Sequence, residues 1–307
     1  MSHDHHGHSH FHAHGAPDFG RAFAIGIALN LAYVAVEAGY GLVAGSLALL
    51  ADAGHNLGDV LGLALSWGAA MLGRRGPSAR FTYGLRSSTI LAALANAIIL
   101  LVVTGGIAWE AVWRLRHPVP VTGGLVAAVA AIGIAVNGAT ALLFARGRGR
   151  DLNIRSAFLH MAADALVTAG VVAAGLAILL TGLFWLDPAV SLIVSAVIIY
   201  GAWDLVKQAL SLALDAVPQG VDAGAVRTHL LALPGVAALH DLHIWGMSTT
   251  ETALTCHLVM PGGHPGDDVL SHIAHELEHE FGIHHATIQI EIGDSEAVCA
   301  LTPEHVV

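Results

Sequence analysis

The run Ser46-Leu47-Ala48-Leu49-Leu50-Ala51-Asp52-Ala53-Gly54-His55-Asn56-Leu57-Gly58-Asp59 decides how the chain is read. It lies inside a long apolar stretch, yet it carries two aspartates, a histidine and an asparagine. An aspartate at the centre of a membrane span costs roughly 2.5–3.5 kcal/mol on insertion scales, so something must offset it. His55 and Asp59 are four positions apart, which puts them one turn apart on one face of a helix. Such a pair can hold a metal ion from one side. The remaining ligands must come from another segment.

His160-Met161-Ala162-Ala163-Asp164 repeats the spacing inside a second apolar stretch. Two facing helices would then supply two imidazoles and two carboxylates, a tetrahedral set suited to zinc in the core of a bundle. Nitrogen and oxygen donors without thiolate also accommodate cadmium, cobalt, nickel and iron(II). The competing structural reading is a pair of independent interhelical His–Asp hydrogen bonds. It leaves four costly polar groups in a bundle with no common purpose.

Composition points the same way. The 307 residues are 55% hydrophobic and 12% charged, with a mean hydropathy of +0.67, against about 25% charged in soluble domains. Apolar windows of spanning length follow one another up to about residue 210. They predict six spans, near 22–43, 46–72, 89–112, 121–145, 157–180 and 189–205. Six spans put both termini on one side of an integral membrane protein. That side receives ten basic residues, Arg21, Arg74, Arg75, Arg80, Arg86, Arg146, Arg148, Arg150, Arg155 and Lys207, while the other receives Arg114 and Arg116. The positive-inside rule therefore places both termini in the cytoplasm, and a bacterial-type inner membrane suits the chain. The opening residues lack the basic-then-apolar order of a secretory signal.

Four segments follow from this reading: a disordered histidine-rich tail (1–20), a membrane domain (21–210), a cytoplasmic α+β domain (211–295) and a C-terminal tail (296–307). The first tail holds seven histidines among small and polar residues, too few apolar groups to build a core. It reads as a metal-collecting tail. In the cytoplasmic domain, helices are expected at 222–233 and 267–281 and strands at 236–245, 252–260 and 286–292. Helix-strand-strand-helix-strand resembles a ferredoxin-like half-sheet. The two cysteines, Cys256 and Cys299, are expected as free thiols in a reducing compartment. A net charge of −10, with acids and histidines dominating the tail, excludes nucleic acid as a partner and suits cations. The glycines inside the spans, among them Gly39, Gly68, Gly133, Gly138 and Gly175, do not follow strands and open helices, so they read as helix-packing positions rather than nucleotide loops.

Four stretches, GSLALLADAGHNLGD, TYGLRSSTILAALANA, NIRSAFLHMAAD and HDLHIWGM, resemble the zinc-transporting branch of the cation diffusion facilitators, over residues 20–295. The resemblance implies a homodimeric zinc/proton antiporter with a metallochaperone-like cytoplasmic domain. Its transport site would be His55, Asp59, His160 and Asp164, with histidine at 55 as the pattern associated with zinc. It also implies a regulatory Zn2+ site drawn from His240, His257, one of His284 and His285, and Glu291, to which Cys299 can add a thiolate. Arg86-Ser87-Ser88-Thr89 departs from the family's pattern, which makes a charge interlock between the start of span three and Asp215 depend on Arg86.

Metal needs neutral histidine and ionised aspartate, so protons compete with it. His55 is the expected proton carrier, since imidazole titrates near neutral pH. Asp52 is open between a supporting role beside the ligands, a vestibule charge and a structural one. Glu37, Asn56, Asn96 and Asn137 are read as interhelical hydrogen bonders, and the His272, His275 and His279 stripe as an exposed polar face. The rival function is a membrane-anchored zinc sensor or storage protein. A membrane metallohydrolase lacks a general base beside an open metal position.

Overall fold

A computed structural model of the chain describes residues 21–145 and 152–293, with Cys299 and Leu301. The histidine-rich tail at 1–20 and most of the C-terminal tail lie outside the described residues. Six long helices come first: α1 (Arg21–Ala44), α2 (Leu47–Gly73), α3 (Ser88–Arg116), α4 (Gly123–Ala145), α5 (Leu152–Thr181) and α6 (Leu186–Ala213). Of these, α3, α6 and the stretch Asp164–Thr181 of α5 are long and apolar enough to cross a membrane. The last helix continues three residues beyond the boundary expected at 210.

The bundle turns the usual soluble arrangement inside out. Leu180, Tyr200, Trp109 and Leu166 are more than three-quarters exposed on its outside, whereas Glu37, Asp52, Asn137, Thr168 and Asp187 are buried within it. An apolar exterior over a polar interior fits a hydrocarbon surround rather than water. The core between the helices is built from small and branched residues, including Ala48, Leu49, Ala51, Val126, Ala130, Val171 and Val194. Helices α4 and α5 approach closely where Gly123 faces Gly175. A Cβ added at Gly123 would lie 2.6 Å from the Gly175 carbonyl, and one at Gly175 would lie 2.7 Å from the Ala127 amide. Glycine is required there by contact of backbone on backbone.

The cytoplasmic domain follows as α7 (Ala223–Leu231), β1 (Ala238–Gly246), β2 (Thr252–Val259), α8 (Asp267–Phe281) and β3 (Ile283–Glu291). The sheet order is β1-β2-β3, with β1 antiparallel and β3 parallel to β2. Helix α8 makes the crossover that a parallel pair needs. Asp222 caps α7 by accepting from the Gly224 and Ala225 amides, and Gly282 ends α8 in the left-handed conformation. Along β2, Leu254, Cys256 and Leu258 enter the core with Val226, Leu230, Ile273 and Leu277 of the two helices. The alternate residues, His257 among them, therefore occupy the opposite face of the sheet.

The domain is tied to the bundle at the start of α3. Arg86 forms an ion pair with Glu251 at 2.7 Å, Ser87 Oγ donates to the Met247 carbonyl, and the Thr249 amide donates to Thr89 Oγ1. Arg86 thus engages the β1–β2 turn rather than Asp215.

Candidate metal centres

His55 and Asp59 stand one turn apart on α2, and Asp164 reaches the same point from α5. His55 Nε2 lies 3.1 Å from Asp164 Oδ1 and 3.9 Å from Asp59 Oδ2. One donor atom from each of the three falls within 4.8 Å of the others. Donors around a tetrahedral zinc ion sit about 3.4 Å apart, given bond lengths of about 2.0–2.2 Å, so the observed spacing brackets that value. Asp164 is nearly sealed, with a side chain 5% exposed, while that of Asp59 is 30% exposed. The cluster is thus closed on its α5 side and open along Asp59. The side chain of His160 lies outside the described residues, as do those of its neighbours from 152 to 163.

Beside the cluster is a polar layer. Thr168 Oγ1 donates to Asp52 Oδ2 at 2.8 Å and also sits 2.9 Å from the Asp164 carbonyl. Tyr33 donates to Glu37 Oε1 at 2.7 Å, and Asn56 Nδ2 donates to Glu37 Oε2 at 3.4 Å. Glu37 and Asn56 are interhelical hydrogen bonders, as their setting in the sequence suggested.

A second cluster lies on the open face of the sheet. His240, His257, Glu291 and Cys299 each offer a donor within 4.8 Å of the rest. His240 and His257 are register partners across β1 and β2, and Glu291 ends β3. His257 Nδ1 is 2.8 Å from Glu291 Oε1 and 3.7 Å from Cys299 Sγ, while His240 Nε2 is 3.4 Å from Glu291 Oε2. Although partial burial opposes it, hydrogen bonding from Cys299 and His257 and the nearness of His240 hold the Glu291 carboxyl below its usual range. Cys256 points into the apolar core instead, where burial pushes its thiol up to about 12 and leaves it inert.

Sequence reading did not single out Asp241. It occupies a bulge between His240 and His243, with φ of 51°. Its Oδ1 is 2.9 Å from His243 Nε2 and its Oδ2 is 3.4 Å from His257 Nε2. A carboxylate on one ring nitrogen of His257 turns the other toward Glu291 and Cys299, the arrangement by which outer carboxylates orient metal-binding histidines.

His284 and His285, the expected alternatives for a fourth ligand, are not brought to this cluster. His284 Nδ1 accepts from the Thr252 amide at 3.4 Å, and His285 packs edge-on against Tyr83 with ring centroids 5.7 Å apart. Both stand at the start of β3, at the far end of the strand from Glu291.

Comparison with known proteins covers nearly the whole chain. Residues 23–212 match the cation efflux transmembrane domain, and residues 218–292 match the cytoplasmic domain of cation efflux proteins. Zinc transporter ZitB of Escherichia coli strain K12 is 36% identical over 289 residues, which is 93% of this chain and 92% of that protein. The metal cation efflux system protein CzcD of Cupriavidus metallidurans is 34% identical, over 94% of this chain and 91% of its own. A cadmium, cobalt and zinc/H(+)-K(+) antiporter of Bacillus velezensis is 33% identical, over 93% and 92%. The protein is a multi-pass membrane transporter rather than an enzyme, and it belongs to the cation diffusion facilitator family.

Proposed function

We propose that this chain is a zinc/proton antiporter that exports Zn2+ from the cytoplasm by alternating access around His55, Asp59, His160 and Asp164. The observation that carries the reading is the convergence of His55, Asp59 and Asp164 within 4.8 Å inside the bundle, from two different helices. Cd2+, Co2+ and Ni2+ suit the same donors. The reading also takes α1 to α6 as six membrane spans with both termini in the cytoplasm, and two copies of the chain as the working unit.

Cargo binds to neutral imidazole and ionised carboxylate, so a proton on any of these donors excludes it. A bundle open to the cytoplasm loads metal where protons are scarce. After rocking outward it meets a higher proton concentration, exchanges metal for protons and returns. The opening beside Asp59 gives cargo a way in, while Asp164 anchors the sealed side. In the cytoplasmic domain, His240, His257, Glu291 and Cys299 would hold a regulatory zinc ion, and their two nitrogens, one oxygen and one sulfur make a closed four-donor set. Such an ion would cross-link the three strands and the following tail.

Zinc flux into proteoliposomes containing the full chain, driven by an imposed pH gradient, tests the reading. Asp59→Ala and Asp164→Ala are expected to reduce flux to the level of empty vesicles. Flux retained in both variants overturns the site, and tight zinc binding by the wild-type chain without any flux makes it a sensor or storage protein instead.

A further inference from the structure

Two buried carboxyl groups lie beside the cargo ligands without being among them. Glu37 of α1 and Asp52 of α2 are both fully buried, and Asn56, one turn after Asp52 on α2, donates to Glu37, which brings the two carboxyls to the same level of the bundle. An ionised carboxylate carries only acceptors. Two like charges buried near each other destabilise one another, so a proton on the pair is favoured while no cation is near.

The surroundings suit a shared proton. Tyr33 of α1 donates to Glu37 and also lies 3.4 Å from the Val129 carbonyl of α4. Asn56 of α2 donates to Glu37, and Thr168 of α5 donates to Asp52. The other ionisable groups acting on the pair are His55 of α2 and Asp164 of α5. Asp52 precedes His55 by three residues on α2, and Thr168 follows Asp164 by four on α5. The pair thus lies about one helical turn from the cargo ligands on both helices, with its hydrogen bonds going to Tyr33, Asn56 and Thr168.

We propose that Glu37 and Asp52 form a proton site of the exchanger that is separate from the metal ligands. The inference rests on the antiport reading and adds a place where the exchanged proton resides. With the cargo site empty, one proton is shared between the two carboxyls. A divalent cation arriving one turn away favours their ionised form, so the O–H bond breaks, the proton leaves to solvent and two carboxylates remain. Tyr33, Asn56 and Thr168 hold those carboxylates with charge-assisted hydrogen bonds. When the cation departs, the pair takes a proton back. One positive charge is thereby exchanged without protonating any metal ligand.

Proton release on zinc binding by the full chain in weakly buffered detergent tests this. The Asp164→Ala chain is subtracted, so that zinc held by the cytoplasmic domain cancels. Glu37→Gln keeps the shape but leaves Asp52 no second carboxyl with which to share a proton. It is expected to bind zinc and to release about one proton fewer per ion than the unmodified chain. Equal release overturns the proposal, whereas no release by the unmodified chain overturns the antiport reading and this site with it. Should Glu37→Gln not fold, infrared spectra of the unmodified chain carrying 13C-glutamate decide the matter. A protonated-glutamate carbonyl band that disappears on adding zinc supports the site, and a band that is absent or unchanged overturns it.

Discussion

Asp241 sits with φ of 51°, in a region that costs most L-residues about 1–2 kcal/mol and that aspartate and asparagine tolerate best. The strain gives the β1 bulge its use. It sends one carboxylate to both His243 and His257, so a backbone irregularity fixes which nitrogen of His257 meets Glu291 and Cys299. Asp241→Asn keeps the backbone preference and removes the charge. Its zinc affinity at the cytoplasmic cluster should fall by about 10–100-fold, the usual effect of losing an orienting partner, with little change in folding. Competition with a chelating dye on the full chain reads this, and unchanged affinity would show that the carboxylate does not tune the site. His240, His257 and Glu291 were named through the family resemblance, and the structure brings their donor atoms together. Asp241 was not, because nothing in residue type announces a bulge. The expectation for His284 and His285 failed on a strand boundary. With β3 beginning at Ile283 rather than 286, His285 is six residues from Glu291, about 20 Å along an extended strand, too far to share an ion with it in one chain.

Asp187 shows how one helix start is built from another. It opens α6, where Pro188 in the first turn gives up no hydrogen bond. Its carboxylate accepts from Ser46 Oγ and from the amides of Leu47, at 2.7 Å, and Ala48, at 3.4 Å. These are the unpaired amides at the start of α2, the helix that carries His55 and Asp59. Removing the carboxylate leaves buried donors without a partner, so Asp187→Ala should cost about 2–3 kcal/mol. Thermal unfolding in detergent measures the loss, and Asp187→Asn should recover more than half because its carbonyl still accepts. A chain indifferent to Asp187→Ala would show that α2 does not depend on this cap. Nothing in the sequence announces this role for Asp187, since a cap supplied from 140 residues away has no local signature. The intramembrane glycines divide in a similar way. Gly175 is held by backbone contact, but Gly39, Gly68 and Gly138 face open space. A small residue in a span therefore permits close packing without demanding it.

At the scale of the whole molecule, the connections sort into two ends. Arg86 and Thr89, at the start of α3, bind the β1–β2 turn of the cytoplasmic domain, so the α2–α3 connection lies at the domain's end of the bundle. At the other end, the Thr122 amide donates to the Ala44 carbonyl and Arg114 Nη1 donates to the Gly45 carbonyl at 2.6 Å. Asp187 joins the same end through Ser46. The α1–α2, α3–α4 and α5–α6 connections thus gather away from the domain, as six alternating spans require. Arg114 is moreover occupied by Glu110 at 2.9 Å, which leaves Arg116 beside it, against Arg74, Arg75, Arg80 and Arg86 in the α2–α3 connection at the domain's end. The reading that both termini face the cytoplasm asks for this sorting of charge, and it can be tested directly. With Cys256 and Cys299 replaced by serine, single cysteines at Ser78 and His117 should report opposite sides. A membrane-impermeant maleimide should label Ser78→Cys only in inside-out vesicles and His117→Cys only in right-side-out vesicles. Labelling of both from one side would mean that α3 does not cross the bilayer, and the six-span reading with both termini in the cytoplasm would fall with it.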